Sequence, residues 1–308
     1  MKKFSILTLY LVSFLVIFGC SNVSDSESKV DAELTDSVST TFPLDIIDGY
    51  GKTFTFEKSP ERIIVIDSAA VEILYDLGAE DRILATHDFV NYPPLVTEVP
   101  RIGNAFALNY EKIVSLEPDL IYIFFDGPYE DLVALDIPVL YIESPTTLEG
   151  VAERIKLWGT IINKKNAGEK SSNDFLQSLS KIESKISDVE SFPSVYHDVS
   201  PDWWTSGSGT LAYEMFDRLK ARNIFDDIEG WSQVSVEQIV DRNPQFVLSV
   251  YPEGREMLLT TEALRSVDAI RNQKILTIEG DLIAIEGPRL INGMTTIAEF
   301  LYPDIYRE

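Results

Sequence analysis

The sequence predicts an α/β protein of two similar lobes, in which parallel or mixed sheets are covered by helices and the lobes are joined by one long rigid helix. Short β-branched runs such as Arg62–Ile66 alternate with amphipathic helical segments, which is typical of this fold class. A helix, proline turn and strand in Asn109–Phe124 recur in Ser235–Val250. Between the two copies, apolar residues at helical spacing predict one helix over Lys165–Glu190, which would be about 39 Å long.

The first half of the chain contains four predicted strands with helices between them. Asp67-Ser68 caps the first helix, which Leu77-Gly78 ends, and Thr146-x-x-Glu149 is a capping box for a helix that runs to about Ile162. The predicted strands are Arg62–Ile66, Ile83–Thr86, Leu120–Phe125 and Val139–Ile142, and the short helices are Tyr110–Ser115 and Glu130–Leu135.

The second half repeats this alternation after Pro193. Its predicted strands are Ser194–Val199, Phe246–Tyr251 and Lys274–Ile278. Its predicted helices are Thr210–Ala221, Glu237–Asp241, Leu259–Val267 and Pro288–Leu301, the last with a proline at its start.

The two copies of the internal repeat match at several positions. Equivalent residues are Glu111 and Glu237, Ile113 and Ile239, Val114 and Val240, Pro118 and Pro244, and Leu120 and Phe246. The shared order of helix, turn and strand indicates a duplication or a shared lobe fold. It also predicts one glutamate at an equivalent surface position in each lobe, although the helix dipole alone favours glutamate in a first helical turn.

The composition excludes several functional classes. The 308 residues carry 26 Lys plus Arg against 50 Asp plus Glu, a net charge of −24, which repels phosphate backbones and excludes nucleic acid as a partner. An apolar fraction of 45% is enough for packed cores. The single cysteine allows neither an intrachain disulfide nor a cysteine-built metal site, and two histidines exclude a His-rich zinc site.

The N-terminus predicts a lipoprotein. Lys2 and Lys3 precede the apolar and hydroxyl run Phe4–Phe18, which is too short for a membrane span but suits the core of a signal peptide. It ends in a sequence that resembles a bacterial lipobox, with Cys20 at the lipidated position. We therefore predict a signal peptide over residues 1–19, and a lipidated cysteine with a flexible polar tether over residues 20–42. The alternative is a plain N-terminal anchor helix.

Ordered motifs along the chain resemble those of one protein family. They are Pro60–Ile66, Glu72–Gly78, Asn91–Pro94, Glu111–Leu120, Thr205–Gly207, Trp231–Gln238 and Gly287–Arg289. Over about Asp45–Pro303 they resemble the class III solute-binding proteins for cobalamin and ferric siderophores, which feed ABC importers. The resemblance implies lobes over residues 43–164 and 191–308, a bridging helix over 165–190, a ligand between the lobes and little hinge motion.

The resemblance also implies partners and a docking surface. A carrier of this family is not an enzyme and needs no cofactor; it delivers a small-molecule metal chelate to an ABC permease and, through it, to an ATPase. In the cobalamin-binding members a glutamate on each lobe docks into arginine pockets of the permease, and the matching residues here are Glu111 and Glu237. We expect a monomer that the lipid holds at the extracytoplasmic face of the cytoplasmic membrane.

Aromatic residues in loops are the candidate ligand contacts, whereas Trp158 lies on a helical apolar stripe and is predicted to be core. Flat aromatic walls suit a large macrocycle such as a corrinoid. Arg289 is the cation assigned to the site by motif match, and because anionic ferric siderophores usually need several cations, this favours cobalamin. The predicted ligand-binding residues are Phe89, Tyr92, Phe106, Trp203, Trp204, Trp231 and Arg289.

Other ligands and classes stay open at this point. No protein ligand to a metal is assigned if the carrier binds cobalamin. Haem is a rival ligand, and its candidate axial ligands are His87, His197 and Tyr213. A ferric siderophore is the other alternative. A remote alternative is an α/β hydrolase: His197 lies beside Asp198, but no G-x-S-x-G motif is present. A purely adhesive surface lipoprotein would leave the paired glutamates and loop aromatics without a role.

Overall fold

A computed structural model describes residues 39–307, so the predicted signal peptide and Cys20 lie outside the described residues. The strands are β1 Leu44–Ile47, β2 Thr53–Phe56, β3 Ile63–Ile66, β4 Ile83–Thr86, β5 Gly103–Asn104, β6 Ala107–Leu108, β7 Leu120–Ile123, β8 Val139–Tyr141, β9 Ser194–Asp198, β10 Trp204–Ser206, β11 Arg222–Asn223, β12 Trp231–Gln233, β13 Phe246–Ser249 and β14 Ile275–Thr277. The helices are α1 Ser68–Asp76, α2 Tyr110–Ser115, α3 Tyr129–Val133, α4 Leu148–Ile161, α5 Lys165–Lys185, α6 Leu211–Arg218, α7 Val236–Arg242, α8 Gly254–Thr260, α9 Asp268–Arg271, α10 Asp281–Ala284, α11 Leu290–Leu301 and α12 Pro303–Tyr306.

Two four-stranded sheets share one topology. The first has the order β4-β3-β7-β8 and the second β11-β9-β13-β14, and every neighbouring pair in both is parallel. The strands that form them are mostly buried on both faces, as expected for parallel sheets covered by helices. The predicted α/β class with two similar halves is therefore confirmed.

The internal repeat is a repeat of structure as well as of sequence. In each copy a capped helix, α2 or α7, leads through a tight turn into a central strand, β7 or β13. The residue before each proline has a left-handed backbone, with φ 49° at Glu117 and 42° at Asn243. Side chains also act alike: Asp119 accepts the Arg62 N–H at the start of β3, and Gln245 accepts the Ser194 N–H at the start of β9.

The long helix between the halves ends earlier than the sequence predicts. Helix α5 starts at Lys165 as expected but ends at Lys185, not Glu190. The reason is tertiary: the Lys220 ammonium donates hydrogen bonds to the carbonyls of Ser187 and Val189, which draws that segment out of the helix. At its other end α5 packs closely on α4, where a Cβ on Gly159 would lie 2.6 Å from the Gly168 Cα.

Local side-chain hydrogen bonds move several other helix ends. The N-cap of α4 is Thr147, not Thr146, because its hydroxyl accepts the Gly150 N–H at 3.0 Å. The predicted helix Leu259–Val267 is instead α8 followed by a 3-10 turn, because the backbone of Thr261, the C-cap of α8, is extended and its hydroxyl donates to the Met257 carbonyl. Helix α11 begins at Leu290 rather than at Pro288, which lies in the preceding turn.

One apolar core runs through both halves. It contains residues of β3, β7, β9 and β13 together with the inner faces of α4, α5 and α11. Trp158 is 1% exposed and its ring lies 4.8 Å from that of Tyr122, which confirms the prediction that it is core. In the described part of the chain, no helix combines the length and the apolar character needed to cross a membrane.

Candidate functional site

The carboxyl edges of the two sheets are linked by a buried ion-pair chain. Asp67 follows β3 and caps α1, its Oδ1 accepting the Ala69 N–H at 2.8 Å. Its Oδ2 pairs at 3.3 Å with Arg154 of α4, and both side chains are buried. The other guanidinium nitrogen donates to the Glu286 carbonyl at 3.0 Å and lies 3.4 Å from its carboxylate. Because Glu286 follows β14 and α10, the ends of the two sheets face one another here.

A second ion pair joins the halves beside the first. The Glu72 Oε1 accepts from Arg289 Nε at 3.0 Å and from a terminal nitrogen at 2.6 Å, and the guanidinium lies 3.5 Å from the centre of the Tyr92 ring. Burial raises the pKa of Glu72, against the lowering effect of the Arg289 hydrogen bond. Gly287 permits this approach, since a Cβ there would lie 2.9 Å from Glu72 Oε2. Of the predicted ligand residues, Tyr92 and Arg289 are thus brought together, and Arg289 is already paired.

Two aromatic side chains extend from the carboxyl edge of the first sheet. Phe89 follows β4 and is 61% exposed, while Phe106 lies between β5 and β6 and is 78% exposed. The Phe106 ring lies 5.3 Å from that of Phe125, which follows β7. Phe106, Phe125 and Tyr110 line a hollow of about 420 Å³. Phe125 belongs to this group although its sequence suggested only the end of a strand.

Two tryptophans extend from the equivalent edge of the second half. In the β10–β12 pair, Ser206 is opposite Trp231, so Trp204 and Trp231 are diagonal neighbours on one face. Both are substantially exposed, and the Trp231 ring lies 6.0 Å from the imidazole of His197. Trp203 is different: it has φ 62° and packs against the core of the second half.

The candidate haem ligands do not form one exposed group. His87 is buried, with Nδ1 accepting the Phe89 N–H at 3.3 Å and Nε2 at 3.3 Å from the Ser68 hydroxyl. His197 is 2% exposed, and burial lowers its pKa to about 4. Tyr213 lines a separate hollow beside β11. Across residues 39–307, no three His, Cys, Asp or Glu side chains are grouped to hold a metal ion.

The hydrolase alternative also lacks its geometry. The Ser206 hydroxyl lies 2.7 Å from His197 Nδ1, but it is fully buried. Asp198 is next to His197 in β9 and so points to the opposite face of the sheet, where its carboxylate makes no hydrogen bond with the imidazole. A nucleophile needs access to substrate and a base held by the acid, and this group supplies neither.

Glu111 and Glu237 occupy equivalent places. Each is the second residue of its helix, after an N-cap side chain, Asn109 or Ser235, that accepts a backbone N–H. Both are exposed. Because each helix runs antiparallel to the strand that follows it, both glutamates lie toward the carboxyl edges of the sheets. Hydrogen bonds to its own backbone and to Ser235 lower the pKa of Glu237, which keeps it anionic.

The ion-pair residues Glu72, Arg154 and Glu286 are not among the site residues that the sequence predicts. A signal was present for the first two, because each is a charged residue at an apolar position of its helix. Glu72 lies among buried residues from Ala69 to Leu74, and Arg154 lies beside Ile155. A charge on a buried helix face indicates a buried partner.

Comparison with known proteins identifies the family. The profile described as "Periplasmic binding protein" matches residues 63–282, most of the described chain. The chain belongs to the periplasmic binding protein family. This periplasmic binding protein is 26% identical over 317 residues to the uncharacterized ABC transporter substrate-binding lipoprotein YvrC of Bacillus subtilis (strain 168), an alignment that covers 100% of this chain and 99% of the relative.

Solved structures of the family have the same fold as this periplasmic binding protein. The vitamin B12-binding protein BtuF of Vibrio cholerae matches with a TM-score of 0.72 at 25% identity, over 81% of this chain and 99% of that one. A possible iron-binding periplasmic solute-binding protein of Staphylococcus epidermidis ATCC 12228 matches with a TM-score of 0.69 at 26% identity, over 80% and 100% of the two chains.

Proposed function

We propose that this periplasmic binding protein is the substrate-binding component of an ABC importer and that it carries a corrinoid such as cobalamin. The observation that carries the proposal is the set of exposed rings at both carboxyl edges, Phe89 and Phe106 on one half and Trp204 and Trp231 on the other. Such rings give large apolar contact area to a flat macrocycle at low entropic cost. The vitamin B12-binding relative supports the same ligand class.

The charge near these rings favours a corrinoid over an anionic iron chelate. Arg289, the cation that the motif assigned to the ligand, is engaged by Glu72 and stacked on Tyr92. A ligand with several carboxylates would have to break that pair to gain a counter-charge. An iron complex is the second candidate, and the possible iron-binding relative from Staphylococcus epidermidis is the observation that favours it.

Docking to the permease is proposed for Glu111 and Glu237. Two exposed carboxylates at equivalent positions of the two halves can pair with guanidinium groups on a two-fold partner and fix orientation as well as affinity. We further propose a monomer held by a lipid on Cys20 at the extracytoplasmic face of the cytoplasmic membrane, with an ATPase engaged through the permease. The lipoprotein relative YvrC supports this anchorage.

Uptake by cells tests the transport proposal. Deletion of the gene is expected to reduce uptake of labelled cobalamin, and the wild-type chain is expected to restore it. The double variant E111R/E237R is expected to bind ligand normally but not to restore uptake. Each new arginine would face one of the arginines proposed for the permease pockets, and the two positive charges would repel one another. E117R, an exposed reversal on the same half, is the control. Normal uptake with the double variant would contradict the docking role.

A further inference from the structure

A group of buried oxygen atoms without hydrogen-bond partners lies at the carboxyl end of β9. Asp198 is 0% exposed, and neither of its carboxylate oxygens makes a hydrogen bond in the described chain. The hydroxyl oxygens of Thr205 and Ser249 are buried and lack partners as well. Buried polar atoms are nearly always satisfied, so several in one place indicate an occupant.

The strand register brings these oxygens together. Ser249 of β13 is the direct neighbour of Asp198. On the other side the Val199 N–H donates to the Trp204 carbonyl and His197 faces Ser206, so Thr205 lies opposite Asp198. Directly opposite side chains share one face of a sheet, so two hydroxyl groups, those of Thr205 and Ser249, flank the carboxylate.

This carboxylate has no counter-charge in the described chain. Asp198 makes no ion pair with a Lys or Arg among residues 39–307, and its group contains no second acid. The hydroxyls of Ser249, Tyr251 and Tyr196 are near enough to oppose, in part, the effect of burial, which raises the pKa of Asp198 to about 6. None of them is in hydrogen-bonding geometry with it. A buried carboxylate without a counter-charge is costly and calls for a cation.

We propose that Asp198 is the anionic ligand of a buried monovalent-cation site to which Thr205 and Ser249 add hydroxyl oxygens. One carboxylate with neutral oxygens matches a single positive charge, whereas a calcium site gathers six to eight oxygens, usually from several carboxylates. Transition metals prefer imidazole or thiolate, which this group lacks. The site lies beneath the turn that carries Trp203 and Trp204, and it is independent of which ligand the protein carries.

Thermal unfolding in different salts tests the site. The full chain is compared in NaCl, KCl and choline chloride at equal ionic strength and at slightly alkaline pH. The wild type is expected to have a Tm roughly 2–4 °C higher in the sodium or potassium salt than in choline chloride, because a ligand that binds only the native state raises its stability. Equal Tm values in all three salts would overturn the proposal.

Variants separate a site at Asp198 from a general salt effect. D198N keeps the shape but removes the charge, so the Tm difference between salts is expected to vanish. D202N removes an exposed carboxylate from the same turn and is expected to keep the full difference. If D198N does not fold, S249A and T205V are expected to reduce the difference. A D198N chain that keeps the sodium effect would overturn the proposal. So would a larger rise in Tm at equal ionic strength with CaCl₂.

Discussion

The two halves of the molecule share a sheet topology but differ in how they treat a buried carboxylate. Asp67 follows β3 and Asp198 ends β9, strands in the same position of their sheets. Asp67 caps a helix and pairs with Arg154, whereas Asp198 has no charged partner in the described chain. The two halves thus share the position where these strands end, but the partners of the carboxylate at that position differ.

The difference has a consequence for stability. In the first half the carboxylate is part of an ion-pair chain that reaches Glu286 of the second half, so it holds the two carboxyl edges together. In the second half the carboxylate lies within one sheet and contributes only if a proton or cation balances it. We therefore expect stability to fall most when the ion-pair partner of Asp67 in the first half is removed. We expect the contribution of Asp198 in the second half to vary with pH and salt.

Removal of Arg154 should have the largest effect. R154A leaves the buried Asp67 and the partly buried Glu286 without a counter-charge, so the free energy of unfolding is expected to fall by about 3–5 kcal/mol. Urea unfolding at neutral pH measures it. R265A, which removes an exposed arginine paired with an exposed glutamate, is the control and should change stability by less than about 1 kcal/mol. A loss below about 1 kcal/mol for R154A would contradict the claim that the first half depends on its buried ion pair.

The pH dependence of unfolding should separate Asp198 from its neighbour His197. Burial raises the pKa of Asp198 from 3.8 to about 6, so between these values the folded chain holds a proton that the unfolded chain has lost, and stability falls as pH rises. Burial lowers the pKa of His197 from 6.5 to about 4, so across that interval stability rises with pH. In the wild type the two slopes oppose one another.

Substitution of either residue should leave only the other residue's effect on the change of stability with pH. Measured in choline chloride, D198N is expected to gain about 2–3 kcal/mol relative to the wild type as pH rises from about 4 to about 6. H197Q is expected to lose stability over the same interval. D202N should follow the wild type. A constant difference between D198N and the wild type at every pH would show that Asp198 does not titrate as its burial requires.

The left-handed residues of the repeat offer the smallest effect. E117G removes a side chain from a backbone region that glycine tolerates better, and it should stabilise the protein by about 0.5–1 kcal/mol. N243G at the equivalent position should instead destabilise it, since the Asn243 side chain accepts the Asp268 N–H at 2.8 Å. Thermal unfolding of the two variants checks this. Equal shifts would mean that the two turns are energetically alike.

The sequence predicts the strands and the repeat well because they depend on local patterns. Runs such as Ile63–Ile66 are apolar throughout, and Pro118 and Pro244 mark the same turn. Helix ends were less accurate where a distant group decides them, as Lys220 does at the end of α5. The Glu72–Arg289 pair spans 217 residues, and no local pattern identifies such partners.

The candidate site was predicted in part. The predicted loop position of Trp204 and Trp231 was wrong, because each is the first residue of a short strand, β10 or β12. Both side chains are exposed, and the pairing of these strands makes them diagonal neighbours. Trp203 could not be distinguished from Trp204, because its packing against the core follows from a positive φ that the sequence does not reveal. Likewise, nothing in the sequence indicates which of many acidic residues lacks a partner.

Calorimetric titration with cyanocobalamin tests the central proposal most directly. The chain from Ser21 onward is expected to bind it with one-to-one stoichiometry, and W204A or W231A should each weaken binding by about 1–3 kcal/mol. F192A, an exposed aromatic before the amino end of β9, is the control and should bind normally. Binding of haemin or a ferric siderophore but not of cyanocobalamin would contradict the corrinoid assignment, and silence with all three would contradict the carrier function proposed for these aromatic edges.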